Sequence, residues 1–439
     1  MTRLTTKESY HDLHARLAAV FDIRKEVSDL RTNGSACEIH TFPFRSQHNL
    51  YPPGGPTALS TTVRALISFF LENNPFSRRH FARELESADG DVVENREFRY
   101  IVFLPARTGG ASGARATSDA RGAAGSRDAA GYGRATLLLH GLNEKSWHKY
   151  LPWAARLTVR TGRPVILFPI AFHMNRAPSA WADPREMMGV AKERARLFPG
   201  LVAGSFANAA LSHRVQFAPH RFLTSGLETY VNLVDLVRSI RDGSHPFLAA
   251  GARVDLFGYS IGASLSQLLL MANRDGLFTE SRAFLFCGGS VLDRANPVSK
   301  AIMDNEAHRA LVGFLAEFER DPTACMPLEP GFLAGIGREI KVIGSMIFAD
   351  RRRETRESVA GGIAARARAL LLERDRVFAP DGMRDSWRSA TGAPILDMDV
   401  EDPPYEFSHE QPFPHSARQP NDVARFFETT MERVAGFLE

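Results

Sequence analysis

The sequence predicts an α/β fold: a doubly wound, mostly parallel sheet with a helical lid and an N-terminal helical extension. Three observations predict it. Short apolar runs such as Ala135 to Leu139, Val165 to Phe168 and Ala283 to Cys287 have the length and continuity of strands buried on both faces. Stretches with apolar residues at i, i+3, i+4 and i+7 alternate with them, as helices packed on a sheet require. Finally, Arg253 to Met271, RVDLFGYSIGASLSQLLLM, reads as strand, sharp turn and helix in immediate succession.

Taken in order, residues 1–97 carry helical patterns at Leu13, Leu17, Ala18 and Phe21 and again at Val63, Leu66, Ile67 and Phe70, around a turn-rich piece at Tyr51 to Pro56. They are expected to form a mainly helical extension packed on a main domain of residues 98–439. That domain opens with a β-rich run, Phe98 to Pro105. Residues 107–134, almost entirely Gly, Ala, Ser, Arg, Asp and Thr, hold too little apolar surface to offset their ordering entropy and are expected to be a flexible loop. The run Ala135 to Leu139 then leads directly into His140-Gly141-Leu142-Asn143.

Trp147 to Thr161 fits a helix closed by Gly162, and Val165 to Phe168 the next strand. Residues 171–224 are irregular and long for a connection, so they are expected to be an insertion. Ser225 with Glu228 reads as a capping box opening a helix through Ile240. After the strand ending at Cys287, residues from about 291 to 365 are helical in pattern, with Leu311, Phe314, Leu315 and Phe318 on one face, and suit a lid. Ala369 to Leu372 and Ile395 to Val400 are the last strands, and Val423, Phe426, Phe427, Met431 and Val434 mark the closing helix behind Pro420.

Composition excludes several classes. A net charge of +4, from 54 Lys and Arg against 50 Asp and Glu, gives no case for a nucleic-acid or membrane partner. Cys37, Cys287 and Cys325 form no metal-like spacing and cannot all pair, which suits a reducing compartment. The N-terminal residues lack a signal-peptide core, and no window approaches the roughly 20 apolar residues of a membrane span, so a cytoplasmic location is expected. No HExxH, CxxC, GxGxxG or Walker pattern occurs, so neither a metal nor a nucleotide cofactor is expected. The sequence is silent on oligomeric state.

Gly258-Tyr259-Ser260-Ile261-Gly262, between strand and helix, has the form of a nucleophile elbow, a strained turn that lifts a serine hydroxyl above the end of a sheet. Small residues two positions either side of Ser260 are needed because strand and helix backbones converge there. The helix that follows turns its positive end toward the serine.

Together with LLLHGLNE and with a late acid and histidine, LFGYSIGASL resembles the α/β-hydrolase superfamily over roughly residues 98–439. In that superfamily serine, acid and histidine follow one another along the chain. The resemblance implies Asp375 as the acid, because it lies just beyond a late strand in LLLERDRVFAP. Asp293, after the AFLFC strand, is the fallback, and Asp381 a third choice. It implies His409 as the base, in the loop before the closing helix, with His415 as the fallback. The oxyanion donors would be the amides of Ile261 and Leu142, although no HGGG extension is present. His140 precedes the serine and is read as shaping its loop. His173 and Arg176 are read as structural, and Arg351, Arg352, Arg353 and Arg356 as a solvated helix face.

The implied activity is serine hydrolysis of a carboxylic ester through an acyl-enzyme, on a small-molecule substrate and without a cofactor. Thioesterase, amidase and acyltransferase chemistry use the same residues. A noncatalytic binding protein on the same fold is the reading from another class.

Overall fold

The computed structural model describes residues 8–28, 37–48, 50, 89–106, 131–326, 328–415 and 418–439. The expected helix around Val63 to Phe70 lies outside the described residues, as does most of the loop expected over 107–134.

The strands are β1 (Val27–Ser28), β2 (Cys37–Arg45), β3 (Glu97–Pro105), β4 (Tyr132–Leu139), β5 (Val165–Leu167), β6 (Leu248–Tyr259), β7 (Ala283–Phe286), β8 (Ala367–Leu372) and β9 (Asp397–Glu401). They form one sheet in the order β1-β2-β3-β5-β4-β6-β7-β8-β9. The pairs from β1 to β5 are antiparallel and those from β5 onward parallel. The helices that matter below are α1 (Tyr10–Val20), α2 (Leu151–Thr161), α3 (Pro184–Leu197), α4 (Ala209–Phe217), α5 (His220–Arg241), α6 (Ile261–Ala272), α7 (Asn305–Arg320), α8 (Gly337–Ser345), α9 (Arg353–Gly361) and α10 (Pro420–Leu438).

The strands are apolar without alternation because both faces are covered. Leu137, Leu139, Leu256, Leu285 and Leu371 join one core cluster with residues of α5, α6 and α7. Their neighbours Leu138, Phe257, Phe286 and Leu372 join the other with residues of α1, α2 and α10. Successive side chains of a strand point to opposite faces, so the continuous runs read in the sequence are the signature of this three-layer arrangement.

The strand order reverses at β4, with β5 on one side of it and β6 on the other, so the carboxyl ends of β4 and β6 flank a topological switch point where ligands of open α/β sheets bind. The register aligns the functional ends. Leu139 lies opposite Gly258, Tyr259 opposite Phe286, and Phe286 opposite Leu370. The segments after β4, β6 and β8, which begin at His140, Ser260 and Glu373, therefore emerge along one rim. With the central strand leading into a serine turn, this is the α/β-hydrolase fold.

Three boundaries differ from the sequence-based expectations. The sheet begins well before residue 98, because β2 pairs along its whole length with β3. Pro43 hides this strand, since proline is excluded from central ladders. It is tolerated because β1 pairs with β2 only at Ile39 and His40, leaving the outer side of Pro43 without a strand partner among the described residues. Tyr132 to Arg134, placed in the loop, already belong to β4. The insertion over 171–224 contains α3, α4 and the first turn of α5, and Ser225 with Glu228 is no cap: α5 starts at His220, and both oxygens of the Glu228 carboxylate accept from Asn95 Nδ2. The stretch after β7 carries α7, α8 and α9.

Candidate active site

Ser260 sits at φ 57° and ψ −125°, a conformation sparsely populated for any residue with a side chain. Such strain costs on the order of 1–3 kcal/mol and persists only where the surroundings impose it. Here they do so by excluding side chains. A Cβ on Gly258 would lie 2.4 Å from the Gly262 carbonyl oxygen, one on Gly262 2.3 Å from that of Leu139, and one on Gly288 2.3 Å from that of Ser260. The Ser260 amide donates to the Phe286 carbonyl at 3.0 Å and its carbonyl accepts from Ala263 at 2.9 Å. The turn is thus locked between β7 and the first turn of α6.

Ser260 Oγ lies 2.8 Å from His409 Nε2, and His409 Nδ1 lies 2.8 Å from Asp375 Oδ2. The other carboxylate oxygen of Asp375 accepts from the amides of Val377 at 2.8 Å and Phe378 at 3.1 Å. Those bonds fix the orientation of the carboxylate. With Oδ2 of Asp375 accepting from Nδ1–H, Nε2 is left as the acceptor for the serine hydroxyl. Asp375, Ser260 and His409 are all buried.

The imidazole is held from both sides. The Tyr259 ring stacks on it at 5.6 Å and 15°, while its hydroxyl donates to the His409 carbonyl oxygen, and Phe378 packs at 5.6 Å. Burial pushes the Tyr259 hydroxyl far above its ordinary range, so it stays a donor.

The fallback residues have other partners, although Asp293 borders the smaller cavity beside Ser260. Asp293 accepts from the Ala349 amide and pairs with Arg294 at 3.0 Å. Asp381 pairs with Arg384 at the surface. His415 is exposed and stacks on His14, with ring centres 3.5 Å apart. None of the three joins the Ser260–His409–Asp375 chain.

The loop after β4 is built on buried polar groups. His140 Nδ1 donates to the Gly141 carbonyl at 2.8 Å, and its Nε2 accepts from the Ile170 amide at 2.9 Å. Only the neutral ring can do both. Burial depresses the His140 pKa well below its ordinary value, which keeps the ring neutral. The Gly141 amide donates to Tyr150 Oη at 2.9 Å, and Tyr150 in turn donates to Glu144 at 2.8 Å. Asn143, at φ 60°, ties the loop outward through Nδ2 to the carbonyls of Ala207 at 2.9 Å and Ala301 at 2.5 Å. The amides of Leu142 and Ile261 have no hydrogen-bond acceptor among the described residues. Sequence reasoning missed Tyr150, Glu144 and Asn143, because no local pattern links them to the serine turn.

Two cavities adjoin the turn. The larger, about 200 Å³, extends toward the 171–224 insertion, and the smaller, about 60 Å³, lies under α7 and includes Ser260. Leu142, Phe222, Ile261 and Leu292 border both. The two amides without acceptors thus belong to residues on the boundary between the chambers.

Outside this site, Arg176 is fully buried, bonded to Asn95, Asn232 and the Pro169 carbonyl, and acts as a structural tie. Arg351 and Arg352 pair with Glu319. Arg356, read as part of a solvated face, is instead buried and donates to the carbonyls of Ser345, Ala349 and Ser386. Its place beside the run Arg351 to Arg353 disguised it as surface. Among the described residues no helix is long and apolar enough to cross a membrane.

Solved structures similar to this chain include an esterase from Pyrobaculum calidifontis, at 11% identity over 87% of this chain and 98% of that one, with a TM-score of 0.38. Carboxyl esterase 2 from the mycorrhizal fungus Tuber melanosporum is 10% identical over 97% of each chain, with a TM-score of 0.39. A cold-adapted esterase from an Arctic intertidal metagenomic library is 11% identical over 92% of this chain and 95% of that one, at 0.37. These overlaps are loose, and the fold rests on the strand order and register above. No curated protein matches the sequence. Residues 123–439 match the family described as a family of unknown function, DUF6051, and the chain belongs to it.

Proposed function

We propose that this protein is a serine hydrolase that cleaves a carboxylic ester through an acyl-enzyme intermediate. The observation that carries the reading is the continuous hydrogen-bonded chain from Ser260 through His409 to Asp375, with the serine strained and bordering a cavity.

In this mechanism His409 takes the Ser260 proton as Oγ attacks the carbonyl carbon, and Asp375 stabilises the imidazolium and holds its tautomer. The amides of Leu142 and Ile261 receive the oxyanion, each worth about 10² to 10³ in rate. His409 then protonates the leaving alcohol, which departs, and a water activated by the same imidazole releases the acid. The two apolar chambers meeting at Leu142 and Ile261 suit the two arms of an ester, the acyl group and the alcohol. Thioester or amide cleavage and acyl transfer would use the same groups, and a hydrolase-fold binding protein would use none of them. Buried, unpaired Cys37 and Cys287 support a reducing, cytoplasmic setting.

The test is hydrolysis of a chain-length series of p-nitrophenyl esters by the native protein and by Ser260→Ala. Turnover that disappears in the variant supports the proposal, and its absence from the native protein, or its survival in the variant, refutes it.

A further inference from the structure

Four charged side chains line the larger cavity: Glu144, Lys145, Arg214 and Arg221. Three of them have ionic partners within the protein. Glu144 pairs with Lys149 and accepts from Tyr150. Arg214 and Arg221 share the Asp89 carboxylate at 3.0 and 2.9 Å, and the Arg214 guanidinium lies over the rings of Phe172 and Trp181 at 4.4 and 4.5 Å. Lys145 differs. Its ammonium donates to the Ala207 carbonyl at 2.7 Å, and no carboxylate pairs with it among the described residues.

An ammonium carries three donors, and holding one partly out of water without a counter-ion is unfavourable unless something repays it. Burial lowers the Lys145 pKa in the same sense. Lys145 stands three residues beyond Leu142, on the same loop as the proposed oxyanion donor, in a cavity otherwise walled largely by groups such as Ile170, Phe172, Leu211 and Leu268. From these positions we infer that the larger cavity is a subsite for an anionic substrate group, with Lys145 recognising a carboxylate on the arm of the ester that enters it. The inference rests on the hydrolase reading and names its substrate class: the monoester of a dicarboxylic acid, or an ester whose alcohol bears a carboxylate.

The test compares kcat/KM for two substrate pairs, each an anionic ester against its neutral isostere. One pair is mono-p-nitrophenyl glutarate and p-nitrophenyl pentanoate, with the charge on the acyl arm. The other is 4-butanoyloxybenzoate and 4-butanoyloxytoluene, with the charge on the leaving arm. A charge-assisted hydrogen bond is worth about 1.5–3 kcal/mol, so in one pair the anionic-to-neutral ratio should fall about ten- to a hundredfold in Lys145→Met and be largely kept in Lys145→Arg. Ratios unchanged in Lys145→Met for both pairs would show that Lys145 only props Ala207 and would overturn the inference. If the native protein hydrolyses none of the four esters and does not react with a fluorophosphonate, the hydrolase reading fails and this inference with it. Turnover of the neutral esters alone, or equal kcat/KM for both members of each pair in the native protein, defeats the subsite and leaves the hydrolase reading standing.

Discussion

Tyr259 and His409 are joined twice, by a ring stack at 5.6 Å and by the tyrosine hydroxyl donating to the histidine's own carbonyl oxygen. The residue before the serine turn thus anchors the loop that carries the imidazole. Tyr259→Phe keeps the stack and leaves a buried carbonyl without its donor, a loss of about 1–3 kcal/mol. Denaturant unfolding should show a drop of that size. Ester kinetics should show kcat falling more than KM rises, since the ground-state pocket is untouched.

The choice of base and acid is separable by paired substitutions. His409→Ala should reduce kcat by about 10⁴-fold or more, and Asp375→Asn by about 10⁴-fold through the wrong imidazole tautomer. His415→Ala and Asp381→Asn should stay within about threefold of the native rate, because neither side chain contacts the Ser260–His409 pair. Equal losses from the two histidine variants would contradict the assignment.

The glycines of the turn are steric requirements. Gly262→Ala places a methyl 2.3 Å from a backbone oxygen that cannot move without shifting β4, and Gly258→Ala meets the Gly262 carbonyl at 2.4 Å. Overpacking of this kind costs about 1–3 kcal/mol and sometimes more, and here it also displaces Ser260. Both variants should lower the unfolding midpoint and abolish turnover. Gly436→Ala, where an added Cβ meets open space, is the control and should do neither.

Acid should destabilise the fold through buried histidines. Burial lowers the His140 pKa far below its usual value and that of His173 to about 4. In the unfolded chain both titrate near pH 6.5. Below that pH the unfolded chain binds protons that the native protein does not, so stability falls as pH falls, by up to about 1.4 kcal/mol per pH unit for each ring. The loss begins near pH 6.5 and, for His173, is complete near pH 4. Urea midpoints at pH 5 and pH 7 check it: a clearly lower midpoint at pH 5 is expected, and identical midpoints would contradict neutral buried rings.

Much of the architecture was legible because the parallel strands are buried on both faces and announce themselves as apolar runs, and because the serine turn leaves glycines at fixed offsets. Ser260, Asp375 and His409, which the structure joins in one hydrogen-bonded chain, were named from the resemblance and from their places beyond strand ends. What stayed hidden depended on contacts that no sequence pattern marks. Strand β2 was masked by Pro43, whose missing donor matters little at that point. The polar tie Gly141–Tyr150–Glu144 and the bonds from Asn143 to Ala207 and Ala301 join segments up to 158 residues apart, and nothing near any of these residues marks them. Arg356 shows the converse failure, since a run of arginines looks solvated until one of them is found capping carbonyls in the core.

The central claim is that Ser260 is an activated nucleophile, and the most direct measurement is covalent labelling by a fluorophosphonate, with the site located by peptide mass spectrometry. The account predicts one phosphonyl group per chain, on Ser260, with a rate that collapses in His409→Ala and no adduct in Ser260→Ala. An unlabelled native protein, or an adduct that persists in Ser260→Ala, would contradict it.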